Sequence, residues 1–273
     1  MRTFLRLLVV VILSGAVLAG AMFFARVDLI YVFDTAQAAP ADMPRTQVLR
    51  IPEFNGDPAL TVWVTQPEPG EPVVIYFMGE GGSLSVDETR LRRFANAGFG
   101  IAAMAYRGGG GQPGRPSEEA LYRDALRVYA GLDRLFGRRI RDTDRVIYGF
   151  SLGTGIAARL AVEQEELALI LEAPYTNYCA VKTGVLRYAP GCLVFEGHMF
   201  DTENRIDQVG APVLILHGNI DERYPVEQAE QVFNVASEPK FLEIYNGGSH
   251  ENLARFGAGD DAISFVRVLR GAR

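Results

Sequence analysis

Val146-Ile147-Tyr148-Gly149-Phe150-Ser151-Leu152-Gly153-Thr154-Gly155 decides the reading of this chain. It is an apolar β-run ending in Gly-x-Ser-x-Gly, followed at once by the small-residue helical pattern Ile156-Ala157-Ala158-Arg159-Leu160-Ala161-Val162. A serine in that context sits on a sharp strand-to-helix turn with its hydroxyl held out. The spacing has a steric reason. The serine takes a strained backbone conformation, and side chains at 149 and 153 would collide with the neighbouring strand and helix. The helix start also aims backbone N–H groups and partial positive charge at any anion formed there. The alternative is a glycine-rich turn whose serine only caps the helix.

A serine hydroxyl needs a base, usually histidine, held in turn by a carboxylate. The 273-residue chain has three histidines. His250 follows a β-run in the glycine-rich loop Tyr245-Asn246-Gly247-Gly248-Ser249-His250, where an imidazole has room to move. It is the expected base. His217 ends the run Pro212-Val213-Leu214-Ile215-Leu216 and reads as structural; His198 reads as a surface or lid residue. With the order serine, acid, histidine, the acid belongs to Gly218-Asn219-Ile220-Asp221-Glu222-Arg223-Tyr224-Pro225. Asp221 is the expected acid and Glu222 the fallback. Glu172 and Glu243 are weaker because they lie within strands. The oxyanion needs two backbone donors. These are expected from Leu152, just after the serine, and from Glu80 in the loop Gly79-Glu80-Gly81-Gly82. The Glu80 carboxylate should turn away from the developing charge.

Alternating β-like and helical patterns over the body imply an α/β architecture with a mostly parallel, doubly wound sheet. Strands are expected at 60–65, 73–78, 100–106, 145–150, 168–173, 213–217 and 241–245, and helices at 85–96, 117–136, 152–163, 226–235 and 260–269. The stretch 174–207 fits no strand–helix unit and reads as a short cap insertion. Composition is ordinary for a globular chain, at 48% apolar and 22% charged. A net charge of −6 without a basic stripe argues against nucleic acid. No Cys/His cluster has metal-ligand spacing. Gly108-Gly109-Gly110-Gly111 lacks the Lys-Ser/Thr of a P-loop. No metal and no cofactor is therefore expected.

The first residues differ in character. Leu7 to Ala25 is uncharged over 19 residues, about 28 Å as a helix and close to the hydrocarbon thickness of a bilayer. Arg2 and Arg6 precede it, while Arg26 and Asp28 nearly cancel after it, which keeps the N-terminus cytoplasmic and exports the rest. Residues 1–34 thus read as a signal-anchor transmembrane segment, with the amphipathic stretch from Val27 to Phe33 at the interface. Residues 35–48 read as an Ala/Pro-rich linker and 49–273 as the catalytic domain. The alternative is a cleaved signal peptide ending at Ala36-Gln37-Ala38 and a secreted product. Cys179 and Cys192 invite a disulfide on the exported side, against two buried free thiols.

Tyr76-Phe77-Met78-Gly79, Ala105-Tyr106-Arg107-Gly108, Gly149-Phe150-Ser151-Leu152-Gly153, His217-Gly218-Asn219-Ile220-Asp221 and Gly248-Ser249-His250 together resemble the α/β-hydrolase superfamily. Within it they are most similar to membrane-anchored α/β-hydrolase-domain proteins that include depalmitoylases, and to serine aminopeptidase-like hydrolases. The resemblance spans 49–269. It implies Ser151 as nucleophile, Asp221 as acid, His250 as base, and structural roles for Arg107 and His217. Two positions depart from the pattern: Met78 stands for the usual histidine of the oxyanion loop, and Glu80 for a small or amide residue. The expected activity is serine hydrolysis of a carboxyl ester or thioester in a small-molecule or acylated substrate. The alternatives are a serine peptidase acting on small peptides and a catalytically silent, membrane-anchored binding or scaffold protein. Oligomeric state is not written in these residues.

Overall fold

The computed structural model describes residues 2–36, 39–81, 83–183, 192 and 195–272. Continuous Val/Ile/Leu runs form strands covered on both faces. The chain runs α1 (Arg2–Ile30), β1 (Thr46–Ile51), β2 (Leu60–Thr65), β3 (Val73–Phe77), α2 (Glu88–Asn96), β4 (Gly100–Met104), α3 (Glu118–Ala130), α4 (Leu132–Phe136), β5 (Arg145–Phe150) and α5 (Gly153–Glu163). It continues with β6 (Ala168–Glu172), α6 (Tyr178–Thr183), α7 (Glu203–Ile206), β7 (Val213–Gly218), α8 (Val226–Val235), β8 (Lys240–Tyr245) and α9 (Ala258–Gly271). The eight strands form one sheet in the order β1-β2-β4-β3-β5-β6-β7-β8. β2 pairs antiparallel with both β1 and β4, and the remaining neighbours are parallel.

Every side chain of β3, β4 and β6 is buried, and five of the six in β5. These central strands carry the strongest apolar signal. β1 is the strand that hydropathy missed: it is an edge on which only Ile51 is buried, so it needs few apolar residues. The single helix expected over 117–136 is divided at Gly131, where α3 ends and α4 begins. Ser117 caps α3 by accepting a hydrogen bond from the Ala120 N–H at 3.1 Å. The helix expected from residue 85 starts later, at Glu88, because residues 83–87 form turns.

The sheet begins at Thr46, and the packed body reaches back to the end of α1. Ile30, Tyr31 and Phe33 are buried in the core at 0%, 7% and 8% exposure. The Tyr31 hydroxyl lies 2.8 Å from Nδ1 of His198, and the Tyr31 ring meets Phe200 edge-on. Phe33 packs on Tyr106, while the Gly110 N–H donates to the Asp34 carbonyl at 2.6 Å. These residues are therefore not an interfacial stretch. Apolar side chains that membrane reasoning assigns to a headgroup layer are satisfied by the protein itself. Gln37 and Ala38, within the alternative cleavage site, lie outside the described residues.

Twenty-nine residues make α1 about 43 Å long. Its large apolar side chains Phe4, Leu7, Val11, Ile12, Leu13, Val17 and Leu18 are exposed. Among the described residues, no helix is long and apolar enough to cross a membrane; the side chains of residues 19, 22–26 and 29 are outside that description. Phe33→Ala in the full-length chain should cost about 3–5 kcal/mol, the usual penalty for emptying a buried aromatic site. Thermal melting checks this, and an unchanged melting temperature would contradict the packing of residues 30–34 into the core.

Candidate active site

The elbow between β5 and α5 is closed to any side chain at its two flanking glycines. A Cβ on Gly149 would lie 2.5 Å from the Gly153 carbonyl oxygen, and one on Gly153 would lie 2.1 Å from the Phe77 carbonyl oxygen. Between them Ser151 takes φ = +51°, a left-handed conformation that costs a non-glycine residue free energy. It is held there by its N–H, which donates to the Glu172 carbonyl on β6 at 2.9 Å. The Thr154 N–H and hydroxyl both donate back to the Ser151 carbonyl, at 2.9 and 2.7 Å. The strain therefore serves to present the serine side chain at the carboxyl edge of the sheet.

The loops after β7 and β8 bring two more side chains to that edge. Nε2 of His250 is 2.8 Å from Ser151 Oγ, and its Nδ1 is 2.7 Å from Asp221 Oδ2. All three residues are buried. Asp221 Oδ1 accepts the N–H groups of Arg223 and Tyr224 at 2.9 and 2.8 Å. Burial alone would push the Asp221 carboxyl up, but the His250 hydrogen bond and charge, the Tyr224 N–H and the nearby His217 together hold it below the ordinary range. The acid thus stays anionic and favours the tautomer with the proton on Nδ1. That leaves Nε2 to take a proton from the serine hydroxyl. Glu222 is exposed.

The other two histidines are engaged elsewhere. His217 Nε2 lies 2.8 Å from the Tyr224 carbonyl oxygen, and burial lowers its pKa, so it is a neutral brace for the acid loop. His198 is buried at 5% exposure against Tyr31, inside the structure and not at its surface. Glu172 sits in a buried ion pair with Arg90 at 2.8 Å and receives the Tyr148 hydroxyl. Arg90 also pairs with Asp87 at 2.5 Å, and its guanidinium lies 3.8 Å from the centre of the Phe150 ring. Phe150 in turn packs against His250. This network ties the loop after β3 and the start of α2 to the floor beneath the serine. Burial pushes the Asp87 carboxyl up to about 6, although Arg90 pulls it the other way. The i,i+3 spacing of Asp87 and Arg90 was its only trace in the sequence.

The β3 loop passes directly over the elbow. A Cβ on Gly79 would lie 3.0 Å from the Phe150 ring and 3.2 Å from Ser151 Cβ. The Met78 carbonyl is fixed by the Tyr106 hydroxyl at 2.7 Å. The Glu80 carboxylate accepts a hydrogen bond from the Tyr178 hydroxyl of α6 at 2.8 Å, so the cap engages it. Among the described residues the Leu152 N–H has no hydrogen-bond acceptor. Gly82 lies outside the described residues, as do residues 184–191 of the insertion. Tyr175, Tyr178 and Tyr224 are fully buried and form an aromatic roof. Cys179 is joined to Cys192 by a disulfide with Cα atoms 5.5 Å apart. A cleft of about 580 Å³ opens beside the serine, lined by Gly79, Glu80, Phe150, Arg223, Glu251 and Arg255 among others.

No protein-family model matches the chain. An uncharacterised protein of Mycobacterium tuberculosis is 32% identical over 182 residues, which is 66% of this chain and 63% of that one. Lysophosphatidylserine lipase ABHD12 of Xenopus tropicalis is 29% identical over 194 residues, 64% of this chain and 49% of the lipase. An esterase of Pyrococcus furiosus superposes with a TM-score of 0.68 at 14% identity, over 86% of this chain and 97% of the esterase. The chain has the α/β-hydrolase fold. It spans less than two thirds of the length of these sequence relatives. In this fold the elbow leaves no clearance, so Gly149→Ala should destabilise the protein by about 1–3 kcal/mol or more, as overpacking does. Chemical denaturation checks this; an unaltered midpoint would contradict the close approach of β5 and α5.

Proposed function

We propose that this chain is a serine hydrolase cleaving carboxyl ester or thioester bonds, with Ser151 as nucleophile, His250 as general base and acid, and Asp221 as the orienting carboxylate. The observation that carries the reading is the unbroken chain of contacts from Ser151 Oγ through the His250 ring to Asp221, at 2.8 and 2.7 Å. In acylation, Oγ bonds to the acyl carbon while its proton passes to Nε2. The bond to the leaving oxygen or sulfur then breaks as Nε2 protonates the leaving group. In deacylation, water gives a proton to Nε2 as its oxygen bonds to the acyl carbon; the Oγ–acyl bond then breaks as Nε2 returns the proton to Oγ, releasing the acid and the serine. Asp221 stays ionised beside the imidazolium. The Leu152 N–H and the backbone of Glu80 are the proposed oxyanion donors. The engagement of the Glu80 carboxylate by Tyr178 supports a role for the backbone of residue 80 and not its charge.

An ester substrate is supported by the lipase and esterase names of relatives and structural neighbours. The cleft is large enough for a small acyl compound, and binding sites of several hundred Å³ are usual for such ligands.

We infer further that α1 is an uncleaved anchor, with the N-terminus cytoplasmic and the catalytic domain on the exported side. The exposed apolar surface of α1 supports this. So does the burial of Ile30, Tyr31 and Phe33: cleavage after Ala38 would strip three side chains from the core. The disulfide fits an oxidising compartment.

The test is hydrolysis of short and long acyl esters and thioesters by fractionated cells expressing wild type or Ser151→Ala. The expected result is activity in the membrane fraction that Ser151→Ala lowers at least about 10³-fold. Equal activity of the two proteins contradicts the mechanism. Activity recovered in a soluble exported form beginning at Ala39 contradicts the anchor.

A further inference from the structure

Tyr224 is the residue of this site that sequence reasoning passed over. It lies three positions after the acid, in Asp221-Glu222-Arg223-Tyr224-Pro225. The proline after it disfavours helical backbone at Tyr224, and the side chain packs against the site. Its backbone is fixed at both ends: the N–H donates to Asp221 Oδ1, and the carbonyl faces His217 Nε2 at 2.8 Å. The ring stands edge-on to His250 at 87°, with centroids 4.9 Å apart, and packs on Tyr175 at 4.9 Å. Side-chain position is thus set by four neighbours.

The hydroxyl at the end of that ring is anomalous. Tyr224 is 0% exposed, yet its hydroxyl has no hydrogen-bond partner among the described residues. Leaving a buried hydroxyl unpaired costs about 1–3 kcal/mol. Tyr175 and Tyr178, in the same roof, both donate, to the Leu152 carbonyl and to Glu80. The Ser151 side chain lies close enough to the Tyr224 hydroxyl to act on its titration, though no aligned hydrogen bond is made. A buried donor fixed in place beside a nucleophile, and unsatisfied in the resting protein, is suited to an acceptor that exists only when substrate has reacted.

We propose that the Tyr224 hydroxyl is a further catalytic residue, donating a hydrogen bond to the oxygen that becomes negative in the tetrahedral intermediate on Ser151. The proposal rests on the hydrolase reading above. No proton is transferred in this step: the O–H bond of Tyr224 stays intact, and the hydrogen bond strengthens as charge builds on the substrate oxygen. Burial and the neighbouring Glu80 carboxylate push the phenol well above its ordinary pKa, so it remains a neutral donor at working pH. The role also suits the departure at Glu80. A loop carrying a carboxylate is a poor neighbour for an oxyanion, and a neutral side-chain donor offsets that.

Tyr224→Phe keeps the ring, its contacts with His250 and Tyr175, and both backbone hydrogen bonds, and removes only the hydroxyl. Wild type, Tyr224→Phe and Ser151→Ala are compared in full-length form on a short-chain p-nitrophenyl ester. The expected result is a fall in kcat of about 10- to 100-fold, in the range of a lost oxyanion donor or somewhat below, with KM within twofold. Affinity for a trifluoromethyl ketone, which mimics the tetrahedral adduct, should weaken by a similar factor. The pH–rate profile and melting temperature should stay in place. An active wild type matched by Tyr224→Phe overturns this role alone. A slower variant whose pH–rate profile shifts, with ketone affinity unchanged, assigns the hydroxyl to positioning His250 and also overturns it. A wild type no faster than Ser151→Ala overturns the hydrolase reading and this role with it.

Discussion

The site depends on one steric constraint, the absence of space around the turn from β5 to α5. Gly153 lies against the backbone of β3, Gly149 lies against the first turn of α5, and Ser151 is left with a positive φ. The strain is sustained because the turn is held by its neighbours, through the Glu172 carbonyl on one side and Thr154 on the other. Any relaxation of the turn would withdraw Ser151 Oγ from the imidazole. Sheet order does the rest. β5 lies at the centre with β6, β7 and β8 following in parallel beside it, so loops far apart in sequence open at the same edge as the serine.

Around this centre the protein buries several polar groups in pairs. Arg90 joins Asp87 to Glu172 beneath the elbow, Arg107 joins Asp124 and Asp57, and His217 braces the acid loop through the Tyr224 carbonyl. In an interior of low dielectric, breaking one member of such a network strands the other. The same logic extends to the N-terminal segment. Tyr31 and Phe33 tie the end of α1 to His198 and Tyr106, and Val32 runs beside the loop after β3, with its carbonyl 3.2 Å from a Cβ placed on Gly81. A helix presenting apolar side chains to its surroundings is therefore joined to the mouth of the site by buried residues and not by a free tether.

The parts that were legible in the sequence are those with a local physical signature. The central strands are short, continuous apolar runs. The elbow carries its glycines at fixed spacing, and with so few histidines the partner at 250 stands out. The parts that were not legible depend on tertiary pairing. β1 is an edge strand with little apolar signal. Ile30, Tyr31 and Phe33 look like a membrane interface until the surface they cover is known. Tyr224 looks like an ordinary loop tyrosine until its ring is found against His250. Glu172 reads as a stray strand carboxylate because its partner, Arg90, is 82 residues earlier.

The central claim is that Ser151, and no other residue, is the activated nucleophile. The direct measurement is peptide mapping by mass spectrometry after the full-length protein reacts with a fluorophosphonate. The account predicts one phosphonyl group per chain, carried by the peptide that contains Ser151, with labelling abolished in His250→Ala. An unlabelled wild type, or a label on another residue that persists in Ser151→Ala, would contradict it.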